Sequence, residues 1–94
     1  MALLSRPFSV SALSGTIYTL ERTGDVFPVH THGDADVHIT IVAFGRLRCT
    51  GRPEIEGMII EAKPGGTVLD WNAGEPHGFI AETDGATLVN ILKN

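Results

Sequence analysis

Apolar and polar residues alternate along most of this chain. Short runs such as "GTIYTLER", "HITIVAF", "RLRCT", "GMIIEA", "TVLDW", "HGFIAE" and "ATLVNIL" are rich in β-branched and aromatic residues. Side chains at i and i+2 share one face of a strand, so this alternation suits sheets with one buried face. Glycines and prolines separate the runs at Gly15, Gly24, Gly33, Gly45, Gly51, Gly57, Gly65, Gly66, Gly74, Gly78 and Gly85. No segment carries an apolar i, i+3, i+4, i+7 stripe of helical length. The pattern predicts an all-β domain of eight or nine short strands, closed or nearly closed into a barrel so that few edges stay open.

Ninety-four residues make one domain. So short a chain buries only about 60–65% of the surface its unfolded form exposes, and a subunit interface would add stability. Residues 15–93 are expected to form the barrel and residues 1–14 an N-terminal strand or arm. The stretch "RPFSVSAL" has no obvious partner in so small a barrel, which leads us to expect a homodimer. The net charge is −4, with seven Lys and Arg and no basic run. That argues against nucleic acid, whose binding needs clustered cations. The single cysteine, Cys49, cannot form an intrachain disulfide and reads as a small core residue of a strand, consistent with a cytoplasmic setting. The N-terminal segment lacks a basic n-region and is interrupted by Arg6, Pro7 and serines, so it is expected to be mature sequence. No apolar stretch approaches membrane-spanning length.

Chemistry concentrates in residues 24–45, "GDVFPVHTHGDADVHITIVAFG", which hold His30, His32 and His38, three of the four histidines. His30 and His32 share a strand face, and His38, Thr40, Val42 and Phe44 share one in the next strand. The "GDADV" loop between them is short enough for a hairpin that would bring the three imidazoles together. His77 opens a later strand after the turn-rich "KPGGTVLDWNAGEP". A lone histidine on an apolar face is usually a hydrogen-bonded core residue, and an i, i+2 pair is also a pH-sensitive surface pair. Four converging from separate turn–strand units point instead to a metal centre.

At these residues the chain resembles the cupin superfamily. Its first motif runs Gly, five residues, His-x-His, three or four residues, Glu, six residues, Gly. Here Gly24, "DVFPV", His30-Thr31-His32 and Gly45 keep that frame. The second runs Gly, five residues, Pro-x-Gly, two residues, His, three residues, Asn. It is matched by Gly66, "TVLDW", Asn72-Ala73-Gly74, Glu75-Pro76 and His77. The resemblance spans about residues 15–93 and implies a jelly-roll β-barrel with one metal ion held by histidines. Three departures stand out. The glutamate position, counted from Gly45, holds His38, whereas counting forward from His32 reaches Asp36. Asn72 replaces the motif proline, and Ala81 replaces the terminal asparagine. His38 is the favoured third ligand, with Asp36 as the alternative, because the distance to Gly45 keeps the strand in register.

The expected metal ligands are therefore His30, His32, His38 and His77. Four neutral imidazoles leave the +2 charge of a divalent ion uncompensated, so the centre should accept an anionic small molecule. It should favour Fe, Ni, Cu or Zn over Mg or Ca, with Mn not excluded. Asp25, Asp34, Asp36 and Glu75 flank the histidines. They read first as turn-forming residues and second as orienting partners for imidazoles. Phe79 and Phe44 are expected to fill the core or line the interior, and Trp71 to close one end of the barrel. Arg46 and Arg48 are read as a solvated strand face. Tyr18 is a candidate proton donor. Because fold alone does not choose a reaction, two functions stay open. One is a metal-dependent enzyme with dioxygenase-type chemistry on a small organic molecule. The other is a non-catalytic module binding a small molecule or sugar beside a structural metal. A plain structural jelly roll is the third and weakest reading.

Overall fold

The computed structural model describes residues 3–10, 13–31, 37–62, 67–71 and 75–93. Among these residues the chain forms nine strands and one short 3-10 turn at Pro53–Ile55. The strands are β1 (Leu3–Val10), β2 (Leu13–Leu20), β3 (Val26–His30), β4 (Val37–Phe44) and β5 (Arg46–Thr50). They continue with β6 (Ile59–Glu61), β7 (Thr67–Asp70), β8 (His77–Ala81) and β9 (Ala86–Lys93). One sheet has the order β1-β2-β9-β4-β7 and the other β3-β8-β5-β6, and every pairing is antiparallel. This is the all-β architecture that the alternation predicts, in the jelly-roll form that the resemblance implies.

The core lies between the two sheets. Leu20, Val42, Ala86 and Leu88 of the first sheet meet Phe27, Leu47, Cys49, Ile60, Phe79 and Ala81 of the second, and all are buried. β5 shows the period-2 logic plainly: Leu47 and Cys49 are buried, while Arg46 and Arg48 face solvent. Arg48 pairs there with Glu82. Burial pushes the Cys49 thiol up to about 11, with the nearby Glu56 carboxylate adding to the effect. Cys49 is thus the inert core residue its strand position implies.

The structure corrects three local expectations. The segment "RPFSVSAL" does have a partner, since β1 pairs with β2 from Leu3 opposite Leu20 to Val10 opposite Leu13. β3 and β4 do not form a hairpin, because β3 pairs with β8 in one sheet and β4 lies between β9 and β7 in the other. Phe44 does not line the interior: it is 61% exposed. A register irregularity between Val42 and Phe44 sets Val42 opposite Leu88 but Phe44 opposite Thr87, so the face reverses at the end of β4.

The outer face of the five-stranded sheet is unusually apolar for its position. Ile17 lies opposite Val89, Val89 opposite Ile41, and Ile41 opposite Val68, giving a continuous cross-strand row. Ile17, Val89 and Ile41 are half-buried and Val68 is 57% exposed. β9 is the central strand of this sheet, hydrogen-bonded to β2 on one side and β4 on the other.

Candidate metal centre

The two glycines that bound the first motif both adopt left-handed backbone, Gly24 at φ 92° and Gly45 at φ 74°. L-residues avoid this region, so glycine there turns the chain into β3 and out of β4 without strain. His30 ends β3 and lies opposite His77 at the start of β8. His38 sits near the start of β4 in the other sheet, and its backbone carbonyl accepts the Trp71 N–H at 2.9 Å. The imidazoles therefore meet across the barrel interior, where the two sheets face each other.

His77 is fully buried and His38 is 4% exposed, while His30 is half-buried at the rim. The ring centroids of His30 and His77 are 4.3 Å apart and those of His38 and His77 4.6 Å, both edge-to-face. Nδ1 of His30 donates to the Pro28 carbonyl at 2.8 Å, and Nδ1 of His77 donates to the Glu75 carbonyl at 3.0 Å. A carbonyl only accepts, so each Nδ1 carries the proton and the neutral ring keeps its lone pair on Nε2. That is the tautomer a metal ion requires, oriented by the outer-shell contact usual for ligating imidazoles. Pro28 costs β3 little, because β3 is an edge strand of its sheet.

His32, Asp34 and Asp36 lie outside the described residues, so the choice between His38 and Asp36 and the position of the fourth imidazole are not described. Among the described residues, no group of three or more His, Cys, Asp or Glu side chains stands ready to hold a metal ion. His30, His38 and His77 converge, yet on their own they do not complete a ligand cage. The donor set nevertheless fits a nitrogen-preferring divalent ion, on the strength of the two fixed tautomers and the two buried rings.

Around the histidines the structure builds a packed support that the motifs do not mention. Trp71 stacks on His77 with centroids 4.5 Å apart and an interplanar angle of 17°. It follows β7 rather than belonging to it, and it is buried. Trp71 Nε1–H donates to Thr40 Oγ1 at 2.9 Å, and the Thr40 hydroxyl donates to Asn90 Oδ1 at 2.6 Å. Thr40 and Asn90 are both buried. The Arg52 guanidinium carbon lies over the Trp71 ring, 5.5 Å from its centroid, and Arg52 Nε pairs with Glu75 at 3.1 Å. Glu75 thus serves the site twice, through its carbonyl to His77 and its carboxylate to Arg52. Thr40 and Asn90 carried only an inward-facing signal in the sequence, and Arg52 carried none.

The remaining flanking residues keep simpler roles. Asp25 closes the turn before β3, accepting the Arg22 N–H on its carboxylate at 3.1 Å. Phe27 packs edge-on against Tyr18 at 4.5 Å and against Phe79 at 6.0 Å. Leu3, Tyr18, Phe27, Pro28 and His30 line a cavity of about 300 Å³ that opens beside the histidines.

Among the described residues, no helix is long and apolar enough to cross a membrane. No sequence-family profile matches the chain, and no curated protein sequence matches it. Its likeness is to solved structures. An RmlC-like cupin from Desulfovibrio desulfuricans is 27% identical, with a TM-score of 0.70 over 96% of this chain and 81% of that one. KdgF from a Halomonas species is 16% identical, with a TM-score of 0.74 over 97% and 77%. A mutant of Bacillus subtilis oxalate decarboxylase is 18% identical, with a TM-score of 0.72 over 98% of this chain and 25% of that much longer one. Two antiparallel sheets stacked in this order, turned at Gly24 and Gly45 and matched along nearly their whole length by such structures, place the chain in the cupin superfamily.

Proposed function

We propose that this cupin binds one divalent transition metal through His30, His32, His38 and His77 and acts on a small, anionic organic molecule by dioxygenase-type chemistry. The observation that carries the reading is the meeting of His30, His38 and His77 from three strands of two sheets, two of them with Nδ1 committed to a backbone carbonyl. A bound ion of the Fe, Ni, Cu, Zn or Mn type would supply an uncompensated positive charge for an anionic ligand and, where redox-active, electron-transfer chemistry. The protein's own residues do the rest. The Pro28 and Glu75 carbonyls hold the rings in register, Trp71 braces His77 from behind, and Phe27 and Phe79 keep water from the interior. Tyr18, the only tyrosine of the chain, brings a phenol to the adjacent cavity and is the candidate proton donor.

The alternative is a binding module in which the metal is structural. In that reading the same histidines hold the ion beside a bound small molecule or sugar, and no turnover occurs. Elemental analysis of wild-type, His38→Ala and Asp36→Ala protein tests the metal first. About one equivalent of a transition metal, lost in His38→Ala and retained in Asp36→Ala, supports the four-histidine centre. Loss in Asp36→Ala alone assigns a carboxylate ligand instead. Oxygen consumption by Fe-loaded protein across β-diketones, thiols and phenolic acids then separates enzyme from module, since tight binding without uptake favours the module.

A further inference from the structure

The cavity beside His30 has a chemical character that narrows the substrate class. It measures about 300 Å³ and is lined by Leu3 of β1, Tyr18 of β2, and Phe27, Pro28 and His30 of β3. Carbon makes up almost all of the lining. The cavity lies where the edge of one sheet meets the edge strand of the other, and its histidine is the ring that adjoins His77. We infer that the ligand of this site carries a single-ring or similarly compact apolar body in this cavity and directs an anionic group toward the histidines. The inference rests on the metal-binding reading for the anionic end, whereas the apolar end stands on the cavity itself.

Size and chemistry both lead there. A closed 150 Å³ apolar cavity already holds benzene, and ligand pockets begin at about 300 Å³, so this open-sided cleft seats one ring with a short substituent against its apolar walls and leaves the outer face of the ring to solvent. Phe27 and Tyr18 form a ready edge-to-face pair, with Phe27 also 4.7 Å from the His30 ring, so an aromatic guest would extend an existing cluster. A polyhydroxylated ligand fares worse. Each hydroxyl turned toward Leu3, Phe27 or Pro28 without a partner weakens binding on the order of tenfold. A compact dianion such as oxalate would leave the cavity unfilled and gain nothing from its walls. The lining therefore suits a ring-bearing acid or enolate better than a sugar, whether the site turns its ligand over or only binds it.

Titration calorimetry on zinc-loaded protein, with metal content measured on the same samples, tests this. The probes are benzoate, 3-phenylpropionate, oxalate and galacturonate, with phenol as a neutral probe on metal-free protein. Zinc keeps the protein redox-silent, so binding is read without turnover. The expected result is that the ring carboxylates bind at least tenfold tighter than oxalate and galacturonate. Leu3→Ser should weaken them at least threefold while leaving oxalate affinity and zinc content unchanged, and Tyr18→Ser should weaken them at least threefold with zinc content unchanged. Equal or tighter binding of galacturonate or oxalate overturns the inference, as does indifference of the ring carboxylates to both variants. The wild-type ranking needs no variant to fold. If zinc does not bind, the metal reading fails on its own. Phenol binding that is weakened by Leu3→Ser still upholds the apolar cavity, and its absence overturns that as well.

Discussion

Thr40→Val is the substitution that best separates the packed support from the histidines it carries. Valine has nearly the shape of threonine, so the fully buried site stays filled, but both hydrogen bonds of the hydroxyl disappear. The Trp71 indole Nε1–H and the Asn90 Oδ1 are then left in buried surroundings, and each stranded group costs about 1–3 kcal/mol. The added methyl returns about 0.8 kcal/mol. The net loss is about 1–5 kcal/mol, a large share of the roughly 5–14 kcal/mol that a chain of this length possesses. At about 4–8 °C per kcal/mol, the middle of that range, about 3 kcal/mol, lowers Tm by about 12–24 °C. Thr40→Ser keeps the hydroxyl and removes only a methyl, so it should lose about 1 kcal/mol. Urea denaturation of the three proteins, followed by the emission of Trp71, the only tryptophan, gives the comparison directly. If Val and Ser variants agree within about 0.5 kcal/mol, the Trp71–Thr40–Asn90 chain does not support the fold as argued.

Three further predictions follow from other parts of the molecule. At Gly78, beside His77, an added Cβ would lie 2.9 Å from the Phe27 carbonyl, the Val29 nitrogen and the Thr50 hydroxyl. Gly78→Ala should therefore push β3 from β8, cost about 1–3 kcal/mol and weaken metal retention in elemental analysis, and unchanged retention would contradict the β3–β8 contact as the site's frame. Cys49 is raised from an ordinary 9.0 to about 11, so the unfolded chain loses its thiol proton first. Stability should be whole below pH 9 and fall as pH rises toward 11, by up to about 2–3 kcal/mol, and Cys49→Ala should remove that part of the slope in denaturation curves. Finally, the apolar row Ile17–Val89–Ile41–Val68 is expected to be covered by a second copy of the chain. Light scattering should give twice the 10.0 kDa mass, Ile41→Lys should halve it, and a wild-type monomer at micromolar concentration would defeat the expectation.

The parts legible in the sequence are those governed by period and punctuation. Alternation in "RLRCT" gave the burial of Leu47 and Cys49 and the exposure of both arginines, and the spacing from Gly24 to Gly45 located the turns around the histidines. What alternation cannot carry is which strands pair. The β3–β4 loop looked like a hairpin because sequence proximity favours one, yet the two strands belong to opposite sheets. Phe44 departs from the alternation because a single irregularity between Val42 and Phe44 turns this last residue of β4 to the opposite face. Arg52 was invisible because its contacts, to Trp71 and Glu75, are made by residues about twenty positions away that only the folded barrel brings beside it.

The place of β9 has a consequence for how this protein reaches its native state. The strand nearest the end of the chain is the centre of the five-stranded sheet, joining the β1–β2 hairpin to β4. Until it docks, β2 and β4 have no shared neighbour, His38 lacks its cross-strand partner Leu92, and Thr40 lacks Asn90. Pairings this distant in sequence close large loops before they return any contact energy, which makes such folds slow and cooperative. The histidines cannot then be gathered by an early local intermediate. They come together only in the step that completes the sheet, so a ribosome-bound chain lacking β9 should not yet hold them as a set.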